Sequence, residues 1–179
     1  PDSKQLLTHQ LDLRNITERS VIEHVPQGDS VQTQLHTIKM PYPGDKHIET
    51  YRLLVIDVAT GEQQTINDNI RIWKFGNGYF TDEKLSFWNA NSEQVYYVDV
   101  VRGGKIARLH GFNTQTATSN VLIEDTADTY VKLAHNDAMP ELQFLQDTNE
   151  LIWFSERSGW AHLYLYDLTT GALKHAITQ

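Results

Sequence analysis

The side chains with most potential for chemistry in this 179-residue sequence are its eight histidines. No two of them stand in a His-x-x-x-His or His-Glu-x-x-His arrangement, the spacings that bring two imidazoles to one metal ion. We therefore predict surface or structural roles for the histidines and no metal site. They are His9, His24, His36, His47, His110, His135, His162 and His175.

The usual signatures of nucleophilic catalysis are also missing from the sequence. Its ten glycines form no Gly-x-Ser-x-Gly elbow, the turn that exposes the nucleophilic serine of α/β-hydrolases. The absence of cysteine excludes disulfides, thiolate zinc sites and cysteine nucleophiles. We predict that this chain contains no catalytic residue and binds no cofactor.

The elements that must position these side chains are β-strands that repeat along the chain. Residues 147–171 read as two strands of alternating apolar residues, closed by the turn Asp-Leu-Thr-Thr-Gly. Weaker copies occur upstream, and their anchoring residues Asp57, Asn113 and Asp167 lie about 55 positions apart. A strand-turn-strand unit repeated at such an interval is typical of a β-propeller blade.

The repeat predicts an all-β fold: a partial β-propeller of about three four-stranded antiparallel blades, the first of them incomplete. The partial blade covers residues 1–66, the second blade residues 79–124 and the third blade residues 141–178. Closed propellers need about 4–8 blades. We therefore expect residues 1–179 to form one truncated propeller domain of a larger protein.

The first blade contains an insertion too long for an ordinary hairpin loop. Its alternating apolar and polar residues predict an extended β-hairpin arm over residues 19–46. The apolar residues of this arm need a surface to cover. A partner subunit, giving a homodimer, would supply one, and the arm's own blade is the alternative. The residues concerned are Val21, Val25, Leu35, Ile38, Met40 and Tyr42.

Composition narrows the classes of partner. The net charge of −8 argues against nucleic acid. No apolar stretch approaches the ~18 residues of a membrane span. The aromatic residues Trp153, Trp160, Tyr164 and Tyr166 could form a ligand cage, but their strand spacing favours packing between blades.

Three segments of the sequence resemble the N-terminal propeller of the dipeptidyl peptidase IV family. Residues 155–164 read Ser-Glu-Arg-Ser-Gly-Trp-Ala-His-Leu-Tyr and are similar to its Ser-Glu-x-x-Gly-x-x-His-Leu-Tyr signature. Residues 1–4 resemble its Ser-Pro-Asp-Gly/Ser-Lys strand entry without the leading serine. Residues 40–48 resemble its Tyr-Pro-x-x-Gly-x-x-Asn-Pro stretch, with His47-Ile48 replacing Asn-Pro. The segments follow the family's order across nearly the whole chain.

This resemblance implies a prolyl-oligopeptidase-type serine peptidase that removes Xaa-Pro or Xaa-Ala dipeptides from free N-termini. Its propeller would restrict the access of peptide substrates, contact the α/β-hydrolase domain of the same polypeptide and support a homodimer through the arm. The catalytic triad and a pair of adjacent glutamates that bind the substrate ammonium would lie outside this chain, which has no Glu-Glu dipeptide. The resemblance favours the bacterial periplasm or secretion.

The connection between the second and third blades is where the family lines its substrate vestibule, usually with aromatic and arginine side chains. The candidate substrate contacts on this connection are His135 and Asn136. An alternative function, from a different class, is a standalone β-propeller that binds or scaffolds other molecules and has no peptidase activity. A Gly-x-Ser-x-Gly elbow encoded beyond Gln179, followed by Asp and then His, would distinguish the two.

Overall fold

The computed structural model of the chain describes residues 3–28, 32–70, 86–134 and 141–179, without the side chains of residues 68–70. This described part contains β-strands and no helix. The chain divides into two compact units. One unit takes the residues up to Gln10 together with those from Tyr51 onward, and the other takes Leu11–Thr50.

The strands are numbered in chain order. In chain order they are β1 (Gln5–Asp12), β2 (Glu18–Glu23), β3 (Gln34–Lys39), β4 (Thr50–Asp57), β5 (Gln63–Ile70), β6 (Ser86–Trp88), β7 (Gln94–Val100), β8 (Ile106–Asn113), β9 (Thr118–Thr126), β10 (Leu142–Leu145), β11 (Glu150–Ser155), β12 (His162–Asp167) and β13 (Leu173–Ala176).

The larger unit contains three separate sheets. The first sheet has the order β1-β4-β5, the second β6-β7-β8-β9 and the third β10-β11-β12-β13. In the second and third sheets each strand pairs antiparallel with the next strand in the sequence. The all-β prediction is confirmed, and two of the sheets are four-stranded meanders of the kind expected of propeller blades.

The second sheet is buried on both of its faces. On β7, Tyr96 and Val98 join a core cluster with residues of the third sheet, including Trp153. Their neighbours Val95 and Tyr97 point to the opposite face, where they join a cluster with the first sheet. Because both faces are covered, residues 95–98 of β7 are consecutive buried apolar side chains rather than an alternating pattern.

The outer hairpin of each sheet closes with the same side-chain-capped turn. Asp57 Oδ1 accepts hydrogen bonds from Thr60 N (2.8 Å) and Thr60 Oγ1 (3.0 Å), and Asp167 Oδ1 accepts the same pair from Thr170 at 2.9 and 3.1 Å. Asn113 Oδ1 accepts from the backbone N of Gln115 and of Thr116, each at 2.9 Å. These turns occupy the repeat's anchoring positions.

Hydrogen bonds from the threonine of each turn lower the pKa of Asp57 and of Asp167, the backbone N–H contributing most. A carboxylate whose pKa is lower in the folded state stabilises the fold above its unfolded pKa of about 3.9. That contribution is lost as the pH falls through the folded-state pKa. The amide of Asn113 forms the corresponding turn without a charge.

Gly61 and Gly171 occupy the same place in two of these turns, and both adopt φ = +74°. Their surroundings differ. A Cβ atom at Gly171 would lie 2.5 Å from the carbonyl oxygen of Leu122 in β9, whereas one at Gly61 would meet no described atom within 4 Å. The last turn of the third sheet therefore lies directly against the outer strand of the second sheet.

We predict that Gly171→Ala destabilises the protein more than Gly61→Ala does. Both variants incur the left-handed backbone penalty of about 1–2 kcal/mol, and Gly171→Ala adds an overpacking cost of about 1–3 kcal/mol. Urea denaturation of both variants gives the comparison. Equal losses in the free energy of unfolding would contradict the close contact with Leu122.

The smaller unit holds the predicted hairpin, formed by β2 and β3. Its pairing places Ile22 opposite Leu35, while Val21 lies opposite His36 on the other face. At its base, Arg19 pairs with Asp45 at 2.7 Å. The six predicted arm residues are exposed, Val21 44%, Val25 86%, Leu35 67%, Ile38 40%, Met40 36% and Tyr42 48%, together with Ile22 at 52%. The arm thus presents apolar side chains on both faces, and Ile22 was missing from the predicted set.

Candidate functional site

A polar cavity of about 540 Å³ lies where the chain crosses from β9 toward β10. Residues 125–132 of the crossing segment form one wall. The opposite wall is the end of β11 and the turn that follows it, with Ser155, Glu156, Arg157 and Gly159. We call this space the crossover cavity. It belongs to the connection for which the sequence predicted a functional role.

The turn between β11 and β12 is held by a dense set of hydrogen bonds around Arg157. Its backbone N and its Nε donate to Ser155 Oγ at 3.1 and 3.0 Å, and its Nη1 donates to Tyr166 OH at 2.5 Å. The guanidinium also lies over the ring of Tyr164, 4.6 Å from the ring centroid. Gly159 closes the turn with φ = +93° and donates from its N to Glu156 O at 2.8 Å.

An ion pair joins this turn to the second sheet. Asp125, near the end of β9, is 5% exposed, and its Oδ2 lies 3.4 Å from Arg157 Nη2. The same oxygen accepts a hydrogen bond from Trp153 Nε1 at 3.2 Å. Burial raises the pKa of Tyr166, a shift that the hydrogen bond from Arg157 partly opposes. Tyr166 is therefore a neutral acceptor for Arg157 at physiological pH.

The lining of the crossover cavity includes exposed charged side chains and one aromatic ring. Lys132 Nζ lies 3.9 Å from Glu156 Oε1, with both side chains about 40% exposed. Tyr130, 44% exposed, also lines the cavity. Trp160, the residue after Gly159, is 77% exposed and is not among the residues that line the cavity.

The packing role predicted for Trp160 is therefore wrong. Trp153, Tyr164 and Tyr166 are buried at 0%, 7% and 5% exposure, as predicted. Trp160 stands in the turn rather than on a strand, so the alternation of the sheet does not direct its side chain into the core.

Few of the other residues singled out in the sequence contribute to the cavity. His135 and Asn136, the predicted vestibule contacts, lie outside the described residues. His162 pairs its Nδ1 with Thr178 Oγ1 at 3.2 Å, and His110 stacks on Tyr97 with ring centroids 4.8 Å apart. No three histidine, aspartate or glutamate side chains in the described ranges converge where they could hold a metal ion.

Sequence reasoning missed Asp125 and Arg157 as site residues. The sequence offers one signal for Asp125: it lies two positions after Ile123, so the strand alternation places its carboxylate on the same, buried face, opposite the fully buried Ala107. Arg157 occupies the first x of the Ser-Glu-x-x-Gly signature. The signature can be explained by the geometry of the turn, so it does not indicate a role for the Arg157 side chain. Their pairing joins two sheets and is not visible in either local sequence.

A family model describing the dipeptidyl peptidase IV (DPP IV) N-terminal region matches residues 1–179. The chain belongs to this family. The resemblance carried by the Ser-Glu-x-x-Gly-x-x-His-Leu-Tyr signature is thereby confirmed. In this DPP IV N-terminal region, the signature residues build the Arg157 turn and one wall of the crossover cavity.

Solved structures agree with this assignment at the level of the fold. Porphyromonas gingivalis dipeptidyl peptidase 4 matches with a TM-score of 0.75 and 20% identity, over 99% of this chain and 23% of that one. A Bacteroides ovatus protein assigned as a dipeptidyl aminopeptidase IV matches with a TM-score of 0.68 and 20% identity, over 94% of this chain and 22% of that one. The chain thus spans less than a quarter of these structures.

A third structure addresses the architecture directly. The β-propeller domain of the trilobed protease from Pyrococcus furiosus matches with a TM-score of 0.50 and 7% identity, over 75% of this chain and 36% of that domain. Together with the meander sheets, this match confirms the predicted partial propeller. The described residues contain no helical segment with the length and hydropathy needed to cross a bilayer.

We predict that Arg157→Gln lowers the free energy of unfolding by about 2–4 kcal/mol, because it leaves the Asp125 carboxylate buried without its cation. Arg102→Gln, in the exposed turn between β7 and β8, is the matched control and should change stability by less than about 0.5 kcal/mol. Adding Asp125→Asn to Arg157→Gln should recover part of the loss. Strictly additive effects of the two substitutions in urea denaturation would show that the pair is not coupled.

Proposed function

We propose that this chain is the non-catalytic propeller region of a dipeptidyl peptidase IV-like serine exopeptidase, which removes Xaa-Pro or Xaa-Ala dipeptides from the N-termini of peptides. The observation that carries the proposal is the family match over residues 1–179. The likeness to two bacterial dipeptidyl peptidase folds supports it. The peptidase activity itself belongs to the whole protein.

One serine and one histidine face each other on paired strands of the third sheet, and their geometry favours a non-catalytic role. Ser155 lies opposite His162 on the neighbouring strand. Its Oγ, however, accepts two hydrogen bonds from Arg157, and the residue is fully buried. A hydroxyl held by a cation is a poor nucleophile, since catalysis needs a base that takes its proton. Moreover, His162 Nδ1 is engaged with Thr178.

In this proposal the propeller controls which peptides reach a buried hydrolase site. Propellers leave space around a central axis, and their inter-blade connections surround its ends. The connection from β9 to β10 and the Arg157 turn would form part of the wall that a peptide passes on its way to the hydrolase domain of the same polypeptide. The polar lining of the crossover cavity supports such a role, because an extended peptide offers backbone and terminal groups that need hydrogen bonds.

The arm of the smaller unit would join two copies of the full-length peptidase to which this chain belongs in the proposal, called the parent below. Its exposed apolar side chains Ile22 and Leu35 form one cross-strand pair, and Val21 and Ile38 lie on the other face. Exposed apolar residues on a two-stranded ribbon favour burial against another surface. A homodimer contact would provide that surface.

The peptidase proposal predicts a division of activity between regions of the parent. The protein of residues 1–179 should release no chromophore from Gly-Pro or Ala-Pro p-nitroanilide above the buffer rate. The full-length parent should hydrolyse both and lose turnover when the serine of its Gly-x-Ser-x-Gly elbow is replaced by alanine. A parent gene without such an elbow would instead support a binding or scaffold propeller.

The dimer proposal predicts that charges on the arm separate the parent into monomers. The double variant Ile22→Lys/Leu35→Lys tests one face, and Val21→Lys/Ile38→Lys is its matched counterpart on the other. We expect the variant on the face that contacts the partner to halve the mass measured by sedimentation equilibrium, because buried lysines disfavour association. A dimer that survives both variants and deletion of residues 20–40 would exclude the arm.

A further inference from the structure

The two faces of the hairpin formed by β2 and β3 carry different side chains. Alternation along the strands puts three cross-strand pairs on one face, called the Ile22 face below: Glu18–Lys39, Ser20–Thr37 and Ile22–Leu35. The pairs on the opposite face, called the Val21 face, are Arg19–Ile38, Val21–His36 and Glu23–Gln34. All six residues of the Ile22 face are exposed, whereas Arg19 and Glu23 of the Val21 face are partly buried.

The polar side chains of the Val21 face are engaged within one copy of the chain. Arg19 pairs with Asp45 at 2.7 Å, and its guanidinium lies over the ring of Tyr42, 4.2 Å from the centroid. Farther along the hairpin, His36 Nε2 lies 2.8 Å from Glu23 Oε2. These interactions leave the Val21 face with fewer groups to offer to a second molecule.

The Ile22 face keeps its apolar and charged groups available. Ile22 and Leu35 are 52% and 67% exposed. Lys39 Nζ donates to the backbone oxygen of Leu13 at 3.3 Å, and an ammonium group has three donors. Within the described residues no ion pair engages the carboxylate of Glu18. This face therefore presents one apolar pair and, two residue pairs away, one acidic and one basic side chain.

The Ile22 face is complementary to itself. In a symmetric dimer each contact occurs twice, because residue i meets residue j and residue j meets residue i. A two-fold axis parallel to the strands places β2 of one copy over β3 of the other. Ile22 then lies over Leu35 of the second copy, and Glu18 lies over its Lys39. A two-fold axis across the strands would instead set Glu18 against the apolar Ile22.

The same operation on the Val21 face gives a poor match. It sets Arg19 of one copy over Ile38 of the other, and Val21 over His36. Contact of a charged group with an apolar one removes water from the charge without supplying a partner, which is unfavourable. The cross-strand register therefore distinguishes the two faces as surfaces for a second copy.

We propose that two copies of the parent pack their arms through the Ile22 face, about a two-fold axis parallel to β2 and β3. Ile22 covers Leu35 of the second copy, and Glu18 pairs with its Lys39. The inference rests on the proposed homodimer and adds the face and the register of the contact. Three residue pairs cover far less than the roughly 1,200–2,000 Å² that stable interfaces bury. The arms therefore fix the register of a dimer to which other surfaces of the parent contribute area.

Charge reversal in the full-length parent tests this contact. Glu18→Lys would set two ammonium groups against each other at both symmetry-related positions, and Lys39→Glu would do the same with two carboxylates. Each variant should raise the dimer dissociation constant by about fivefold or more, because like charges oppose association. A copy with Glu18→Lys and a copy with Lys39→Glu attract each other at both positions, so a mixture of the two variants should recover the dimer as heterodimers.

Mixing separates contact between copies from damage within one copy. Each single variant also puts like charges opposite each other on its own hairpin, and a second molecule cannot repair that. With a different affinity tag on each variant, heterodimers should exceed the half share that random pairing gives. Glu62→Lys, an equal change of charge in the exposed turn between β4 and β5, is the matched control. It should leave the dissociation constant unchanged and should pair at random.

The outcomes separate this inference from the proposed function. Random pairing of the two charge variants would overturn the register. A dimer that dissociates with Val21→Lys/Ile38→Lys and survives Ile22→Lys/Leu35→Lys would keep the proposed arm contact and overturn the choice of face. A parent that is monomeric without any substitution would remove both the proposed dimer and this inference. Peptidase activity is measured separately and can hold in each case.

Discussion

Burial of the second sheet on both faces is the constraint on which the rest of the larger unit depends. β7 alternates its side chains between two apolar clusters, one shared with the first sheet and one shared with the third. Neither neighbouring sheet could cover its inner face without this central layer. A fully buried side chain such as Leu109 stabilises the fold by about 1.5–3 kcal/mol, so the two clusters outweigh the contribution of any single surface contact. The second and third sheets approach so closely at Gly171 that a Cβ atom there would lie 2.5 Å from the carbonyl oxygen of Leu122.

The polar chemistry of the molecule lies at one edge of this apolar packing. Asp125 faces the third sheet. Its cross-strand partner on β8 is Ala107, and the next residue of β8 on the same face is Leu109. Burial of that carboxylate would be costly alone, and the structure offsets the cost with Arg157 and the indole of Trp153. Arg157 is in turn positioned by Ser155, Tyr166 and Tyr164. A network of this kind fixes the geometry of the turn, and a fixed turn gives the crossover cavity a defined wall.

The arm differs from the blades in how its apolar side chains are covered. A blade finds apolar surface on its neighbours, while the two strands of the arm expose apolar side chains on both faces. The local network of Arg19 with Asp45 and the ring of Tyr42 orders the base of the arm without covering its apolar residues. The contacts within the smaller unit therefore do not explain why the described arm residues are apolar.

The sequence by itself determined the class of the fold, the hairpin of the arm and the family. It did so because strand alternation, the Asp-x-x-Thr-Gly turns and the Ser-Glu-x-x-Gly-x-x-His-Leu-Tyr signature are local patterns that short-range physics enforces. Only the tertiary structure decided which residues meet across sheets. Asp125 and Arg157 are 32 positions apart and are joined by an ion pair between two sheets. Trp160 is exposed although the aromatic residues near it in the sequence are buried. Ile22 forms a cross-strand pair with Leu35. Such contacts depend on register and on the packing of separate sheets, which no local pattern encodes.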